Sequence, residues 1–157
     1  MPSAAVDYPE VAQCVHKALR DIGITADVVH PSTDLSRYRV VVVPTLYLVT
    51  ETDARAIAAA AEAGAQVLVT YFSGIVDEHD HVRLGGYPGA FRDLLGIRIE
   101  EFDPLLDGES VALSVPGSDA PPGTGRRWSE WCHATTAEVR AAYANGPCAG
   151  AAAITRR

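Results

Sequence analysis

The sequence has few cysteines and no long apolar run. Its three cysteines, Cys14, Cys132 and Cys148, are far apart and form no C-x-x-C pair, so neither a zinc site nor a disulfide framework is expected. No apolar run approaches the roughly 20 residues needed to span a bilayer. The N-terminal stretch MPSAAVDYPE has no basic region and no apolar core, which argues against a signal peptide. These features favour a reduced, cytoplasmic protein with no membrane partner.

Basic charge is also scarce. The chain carries 13 lysines and arginines against 20 aspartates and glutamates, which gives a formal net charge of −7. Because this balance repels phosphates, neither nucleic acid nor an anionic membrane is an expected partner. The 157 residues, with 48% hydrophobic and 21% charged content, are typical of one globular domain.

The first half of the chain has the pattern of an α/β protein. Helical spacing of apolar residues predicts a helix over residues 9–22, with Cys14 on its apolar side and in the core. Strands are predicted over 25–29 and over the valines at 40–43, the latter buried on both faces. Thr50 and Asp53 resemble a capping box before an alanine-rich helix over 53–63. A strand over 66–71 would complete a βαβ unit with parallel strands.

The second half has weaker patterns. A short helix is predicted over 88–95, ended by Gly96, and a strand over 97–102. Residues 111–115 are predicted to form a strand and residues 117–127 a Gly/Pro loop. Two further strands, over 138–143 and 151–155, flank a turn at Asn145-Gly146-Pro147.

The candidate functional residues lie in the stretch 70–105. Phe72-Ser73-Gly74 follows a predicted strand, where ligands usually bind in open α/β sheets. Ser73 lacks the flanking glycines of a G-x-S-x-G nucleophile elbow, so a serine that bonds to backbone in a turn is favoured. Since no cysteine occupies a comparable turn, no catalytic residue is predicted.

Two other groups in the sequence suggest chemistry. Asp77-Glu78-His79-Asp80-His81 has the residue types of a metal site, but no further ligands stand out. A solvated or interface loop is therefore favoured, and no metal or cofactor is predicted. Asp80 and Arg83 are candidates for an ion pair across a subunit boundary.

Carboxylates and aromatic residues occur together further along the chain. Glu100 and Glu101 would point to opposite faces of a regular strand, which argues against a glycosidase carboxylate pair. Trp128 and Trp131, with Glu130 and His133, either stack a sugar ring or form a hydrophobic anchor or subunit contact. The second interpretation is favoured.

A family resemblance rests on Arg39-VVVVP-Thr45-Leu46-Tyr47 and on the long block GAQVLVTYFSGIVDEHDHVRLGGYPGAFRDLLGIRIEEFDPL. With these residues the chain resembles the middle domain of family-42 bacterial β-galactosidases over nearly its whole length. The resemblance implies a flavodoxin-like α/β fold, similar to class I glutamine amidotransferases, with a mainly parallel sheet and helices on both faces. It further implies that the first strand is missing, and that residues 1–157 are a single domain from a longer enzyme.

The function implied by the resemblance is non-catalytic trimerisation. The parent would be a homotrimer that hydrolyses terminal β-D-galactosides, with its catalytic glutamates in a β/α barrel absent from this chain, so the chain alone would have no activity. The residues expected to form a subunit interface, or the wall of a neighbouring active site, are Tyr71, Phe72, Asp77, His79, Asp80, His81, Arg83 and Tyr87. Two alternatives stay open, a free-standing amidotransferase-like hydrolase and a sugar-binding module.

Overall fold

The computed structural model of the chain describes residues 7–118 and 123–157. The chain divides into two compact units, Met1–Arg83 and Leu84–Arg157. The prediction of a missing first strand concerns the chain before residue 7 and lies outside the described residues.

The first unit contains two helices and a pair of parallel strands. Its elements are α1 (Tyr8–Asp21), β1 (Val40–Val43), α2 (Glu51–Glu62) and β2 (Gln66–Val69). β1 and β2 pair in parallel, with Val40 opposite Gln66 and Val43 opposite Val69, which confirms the predicted βαβ unit.

Capping by Thr50 starts α2. The Thr50 hydroxyl oxygen accepts a hydrogen bond from the Asp53 amide at 3.1 Å and donates to the Asp53 carboxylate at 2.9 Å. This satisfies one of the amides that a helix start leaves unpaired. The predicted cap is therefore confirmed, and the helix buries Ala54, Ile57 and Ala60.

Three predictions for the first unit are wrong. Residues 25–29 form no strand, and Val28 is 80% exposed. Helix α1 forms, but it has no buried residue, and Cys14 is exposed rather than in the core. Strand β1 is not buried on both faces, since Val40 is 56% exposed while Val43 is 4% exposed. Apolar spacing identified α1 and β1 but wrongly added the strand over 25–29, and it carries no information about which apolar faces are covered.

The second unit is built from antiparallel strands. It contains α3 (Arg92–Leu95), β3 (Ile97–Pro104), β4 (Val111–Ser114), β5 (Gly123–Gly125), β6 (Trp128–Ala134), β7 (Glu138–Tyr143) and β8 (Ala152–Arg156). β3 pairs with β6, and the other four strands form one sheet in the order β5-β4-β7-β8. Ile99, Cys132 and Ala152 form a core cluster. Strand β5 lies in the stretch predicted as a loop, and β6 was not predicted at all.

The predicted fold class is wrong. Among the named strands in the described part of the chain, only β1 and β2 pair in parallel, whereas all strands of the second unit pair antiparallel. The observed strand pairing therefore differs from the predicted flavodoxin-like and amidotransferase-like fold, which has a mainly parallel sheet with helices on both faces. The physical reason is that α3 has only four residues and helix crossovers are needed to join parallel strands.

Two glycines that follow helices provide a matched test of packing. Gly96 has φ +65°, and a Cβ there would lie 3.0 Å from the Ala137 amide nitrogen; Gly23 has φ +79° with nothing within 4 Å of its Cβ position. We expect Gly23→Ala to cost about 1–2 kcal/mol of unfolding free energy through left-handed strain. Gly96→Ala should cost about 1–3 kcal/mol more because the new methyl also crowds backbone. Urea denaturation measures both, and equal losses would contradict the packing argument.

Candidate functional site

A short hairpin carries the acidic and histidine residues. Val76 and Val82 form an antiparallel bridge, the Asp77 amide donates to the His81 carbonyl at 3.0 Å, and the Asp80 amide donates to the Asp77 carbonyl at 3.1 Å. Residues 78–81, all exposed, are called the hairpin tip. Asp80 has φ +61°, a left-handed conformation that Asp adopts more readily than most residues.

The Asp77 carboxylate fixes the shape of the hairpin tip. One oxygen accepts hydrogen bonds from the amides of His79 and His81, each at 2.9 Å. The bond from the His81 amide is the main cause of a lowered Asp77 pKa. The other oxygen lies 3.7 Å from His81 Nδ1. Asp77 therefore fixes the backbone of the loop through these hydrogen bonds. The rings of His79 and His81 are exposed to solvent, and their centroids are 5.9 Å apart.

Arg83 fastens the end of the hairpin to the start of α2. Its guanidinium donates to the Val49 carbonyl at 2.7 Å and pairs with the Glu51 carboxylate, and its side chain is only 16% exposed. Arg83 therefore has an ion-pair partner within its own chain, and the predicted pair with Asp80 across a subunit boundary stays a prediction.

Phe72 and Tyr71 support the turn after β2. The Phe72 side chain is 2% exposed and its ring stacks on Tyr47 with centroids 5.2 Å apart. Its backbone has φ +59°, a strained conformation of the kind that often marks functional turns. Here the strained residue carries a buried aromatic ring rather than a nucleophile, and Tyr71 is half-buried.

Ser73 is bonded to backbone, as its sequence context suggested. It is 1% exposed, its hydroxyl oxygen accepts from the Leu46 amide at 3.0 Å, and it lies 3.5 Å from the Val43 carbonyl oxygen. Because its hydroxyl is buried and bonded to two backbone segments, it is poorly placed to attack a substrate.

The cysteines are also poor nucleophiles. Burial raises the pKa of Cys132 to about 12, and it raises the pKa of Cys148 as well. Both thiols stay protonated at neutral pH, whereas the thiolate is the reactive form. Cys14 is exposed on α1, away from any turn that follows a strand.

Tyr87 belongs to the second unit, where it is half-buried and packs against the core cluster. It forms an isolated bridge with Ile99, and its ring stacks on Phe102 with centroids 4.4 Å apart. The Phe102 ring in turn packs against the Trp128 ring, with centroids 5.4 Å apart. The structure therefore places the eight predicted site residues in three settings: the hairpin (Asp77, His79, Asp80, His81 and Arg83), the turn that precedes it (Tyr71 and Phe72) and this aromatic cluster (Tyr87).

Trp128 and Glu130 form a buried hydrogen bond. Trp128 Nε1 donates to the Glu130 carboxylate at 2.9 Å, and the two residues are 7% and 8% exposed. Trp128 is thus the hydrophobic anchor favoured from the sequence, whereas Trp131 is 39% exposed and belongs to a different surface.

A β-bulge brings two carboxylates opposite Trp131. The register of β3 and β6 shifts between Ile99 and Phe102, so Glu100 and Glu101 together oppose Trp131, and both are exposed. The regular alternation assumed from the sequence does not hold at this point, because a bulge inserts an extra residue.

Polar contacts connect the side chains beside this bulge. Arg98 donates to Glu100 at 2.6 Å, and His133 Nε2 lies 3.3 Å from the other Glu100 oxygen. Arg98, Glu100, Trp131 and His133 are called the Trp131 face. Sequence reasoning identified Trp131 and His133 but missed Arg98, for which the only local signal is its spacing of two from Glu100.

Within residues 7–118 and 123–157, no group of three or more His, Cys, Asp or Glu side chains is arranged to hold a metal ion. The helices in the same part of the chain are too short or too polar to cross a membrane.

Comparisons with known proteins identify a family. A family model described as the β-galactosidase trimerisation domain matches residues 1–157. The chain is 50% identical over 157 residues to a β-galactosidase of Arthrobacter sp, a match that covers 99% of this chain and 22% of the relative. It is 39% identical over 154 residues to β-galactosidase LacZ of Heyndrickxia coagulans, covering 98% of this chain and 23% of the relative.

A comparison with solved structures finds the same kind of protein. The crystal structure of β-galactosidase from Bacillus circulans sp. alkalophilus matches with a TM-score of 0.94 and 34% identity, over 99% of this chain and 23% of that chain. The chain therefore spans less than a quarter of the length of each of these three proteins. All three are β-galactosidases, and they give no support to the amidotransferase-like likeness suggested by the sequence.

The contacts of Arg83 generate a stability prediction. Arg83→Ala removes the donor to the Val49 carbonyl, and we expect a loss of about 1–3 kcal/mol in unfolding free energy because that buried acceptor loses a partner. Glu51→Gln removes only the charge of an exposed partner, so it should cost less than about 1 kcal/mol. Urea denaturation at low chain concentration measures both. If Arg83→Ala were as stable as the unmodified chain, Arg83 would not fasten the hairpin.

Proposed function

Because the chain belongs to the family of β-galactosidase trimerisation domains, we propose that it is a non-catalytic assembly domain of a longer β-galactosidase. In this proposal three copies associate into a homotrimer, and the hydrolysis of terminal β-D-galactosides takes place in a catalytic barrel outside residues 1–157. The family match over the whole chain is the observation that carries the proposal.

The side chains with chemical potential support a non-catalytic role. The Ser73 hydroxyl bonds to backbone, and burial raises the thiol pKa values of Cys132 and Cys148. An amidotransferase-like hydrolase would need one of these groups to be accessible and activated. The three free cysteines also fit a reducing compartment, and we place the protein in the cytoplasm.

We assign the subunit contacts to the hairpin tip. Its exposed residues combine two carboxylates with two imidazoles, so they can pair with complementary groups of another subunit. The hydrogen bonds that the His79 and His81 amides donate to the Asp77 carboxylate hold the tip in one conformation. A preordered loop loses less conformational entropy on association than a floppy one, and therefore binds more tightly.

The other predicted site residues take supporting parts in this proposal. Phe72, Tyr71 and Arg83 support the hairpin from within the chain. Phe72 is only 2% exposed, so only the exposed edges of Tyr71 and Arg83 are available to a neighbour. Tyr87, in the second unit, stays a predicted contact or a predicted wall of a neighbouring active site.

Light scattering over a wide range of chain concentrations tests the proposal. We expect the mass of the unmodified chain to approach three times 16.7 kDa as the concentration rises. The double variant His79→Gln/His81→Gln should need about tenfold higher concentration to associate. This corresponds to a loss of about 1 kcal/mol at each of three contacts, because the midpoint concentration of a trimer varies as the square root of its dissociation constant.

The matched control is the double variant His16→Gln/His30→Gln, which removes the same number of imidazoles from other parts of the chain and should associate normally. A monomer at every concentration would overturn assembly by this chain alone. A trimer that both double variants form equally well would move the contacts away from the hairpin tip.

A further inference from the structure

The Trp131 face has its geometry set by the pairing of β3 with β6. Arg98 and His133 are direct partners across the two strands, so their side chains lie on the same face. Trp131 is two residues before His133 on β6, so these two side chains share that face. Glu100 lies in the bulge, and its contacts rather than its spacing place it there. The contacts of Glu100 with Arg98 and His133 agree with this placement.

These side chains are ordered and still accessible to solvent. Glu100 is held by Arg98 on one oxygen and by His133 on the other, with side-chain exposures of 49%, 53% and 51% respectively. Trp131 is 39% exposed, and the strand register places it on the same face as these groups. A ligand can therefore reach a flat aromatic ring and hydrogen-bonding groups from one side of the strand pair.

We propose that the Trp131 face binds the galactopyranose ring of a β-galactoside. The apolar C–H side of the ring stacks on the indole, which offers a large, rigid contact area. The ring hydroxyls donate to the Glu100 carboxylate and accept from the Arg98 guanidinium. Charge-assisted hydrogen bonds of this kind are roughly twice as strong as neutral ones.

The surroundings of Trp131 favour a sugar over a protein partner. The core of a protein interface is depleted in charged residues, yet Trp131 lies opposite Glu100 and Glu101 and on the same face as the Arg98–His133 pair. A hydroxyl-rich ligand can hydrogen-bond to those groups, whereas placing Trp131 at the core of a protein interface would desolvate them. The galactoside class rests on the proposed function, while the presence of a ligand surface rests on the geometry alone.

Two tryptophan signals make the proposal testable by nitrogen-edited NMR of the 157-residue chain. Methyl β-D-galactopyranoside is the probe, and glycerol is the control for a non-specific polyol effect. The Trp131 indole N–H signal should shift with saturation as the galactoside is added. The signal of Trp128, which is buried and donates to Glu130, should stay in place, and glycerol should shift neither.

Variants locate the binding by saturation transfer from the protein to the sugar protons. Trp131→Ala should raise the dissociation constant at least tenfold, and Glu100→Gln should raise it severalfold because the amide replaces a charged acceptor. Tyr8→Ala is the matched control, since Tyr8 is an aromatic residue of α1 with 38% exposure, and it should leave binding unchanged. Trp131→Phe keeps an aromatic ring and should retain part of the affinity.

Three results would overturn the proposal. One is the absence of any saturable shift of the Trp131 signal. Another is saturation transfer to the sugar protons that Trp131→Ala leaves unchanged. The third is a Trp131 shift that follows chain concentration rather than sugar, which would assign the face to a second copy. A chain that stays monomeric and binds the galactoside would contradict only the trimerisation proposal. A chain that forms a trimer but shows no Trp131 shift would contradict only the galactoside proposal.

Discussion

The buried backbone of residues 72–76 is the constraint on which the hairpin and its surroundings depend. A run of buried residues must find internal partners for its amides and carbonyls, since water is not available to them. The amides of Gly74 and Ile75 donate to the carbonyls of Leu46 and Tyr47 at 2.8 and 2.9 Å, and the Val49 amide donates to the Val76 carbonyl at 3.1 Å. The segment that follows β1 therefore pairs with the one that follows β2. This pairing holds residues 74–76, from which the hairpin extends, in a fixed position.

The same pairing accounts for the lack of chemistry at the turn after β2. The residue that could act as a nucleophile, Ser73, uses its hydroxyl to accept from the Leu46 amide, and the strained residue before it packs its ring on Tyr47. In an amidotransferase-like hydrolase, the turn after such a strand would carry the nucleophile. In this chain the residues of that turn instead contact the segment that follows β1. In this part of the chain the exposed tip beyond Asp77 remains for function, and it suits an assembly domain better than a hydrolase.

Local patterns predicted the two helices and the two strands of the first unit, but they also predicted a strand over 25–29 that does not form, and they did not predict the fold class. The valines of β1, the cap at Thr50 and the short joints are local features, and they identified the parallel pair correctly. The pairing of β3 with β6 joins residues such as Ile99 and Cys132, which are distant in sequence, and no local pattern encodes it. The residue types over 77–81 predicted an exposed loop but not the hairpin, and they did not predict the contact of Arg83 with Glu51, which spans 32 residues.

The central claim, that the hairpin tip makes contacts between copies of the chain, is tested most directly by the ring-proton NMR signals of the five histidines as chain concentration rises. The account predicts that His79 and His81 shift with concentration while His16, His30 and His133 keep their positions. Concentration-dependent shifts confined to the other three histidines, with His79 and His81 unchanged in an associating chain, would contradict it.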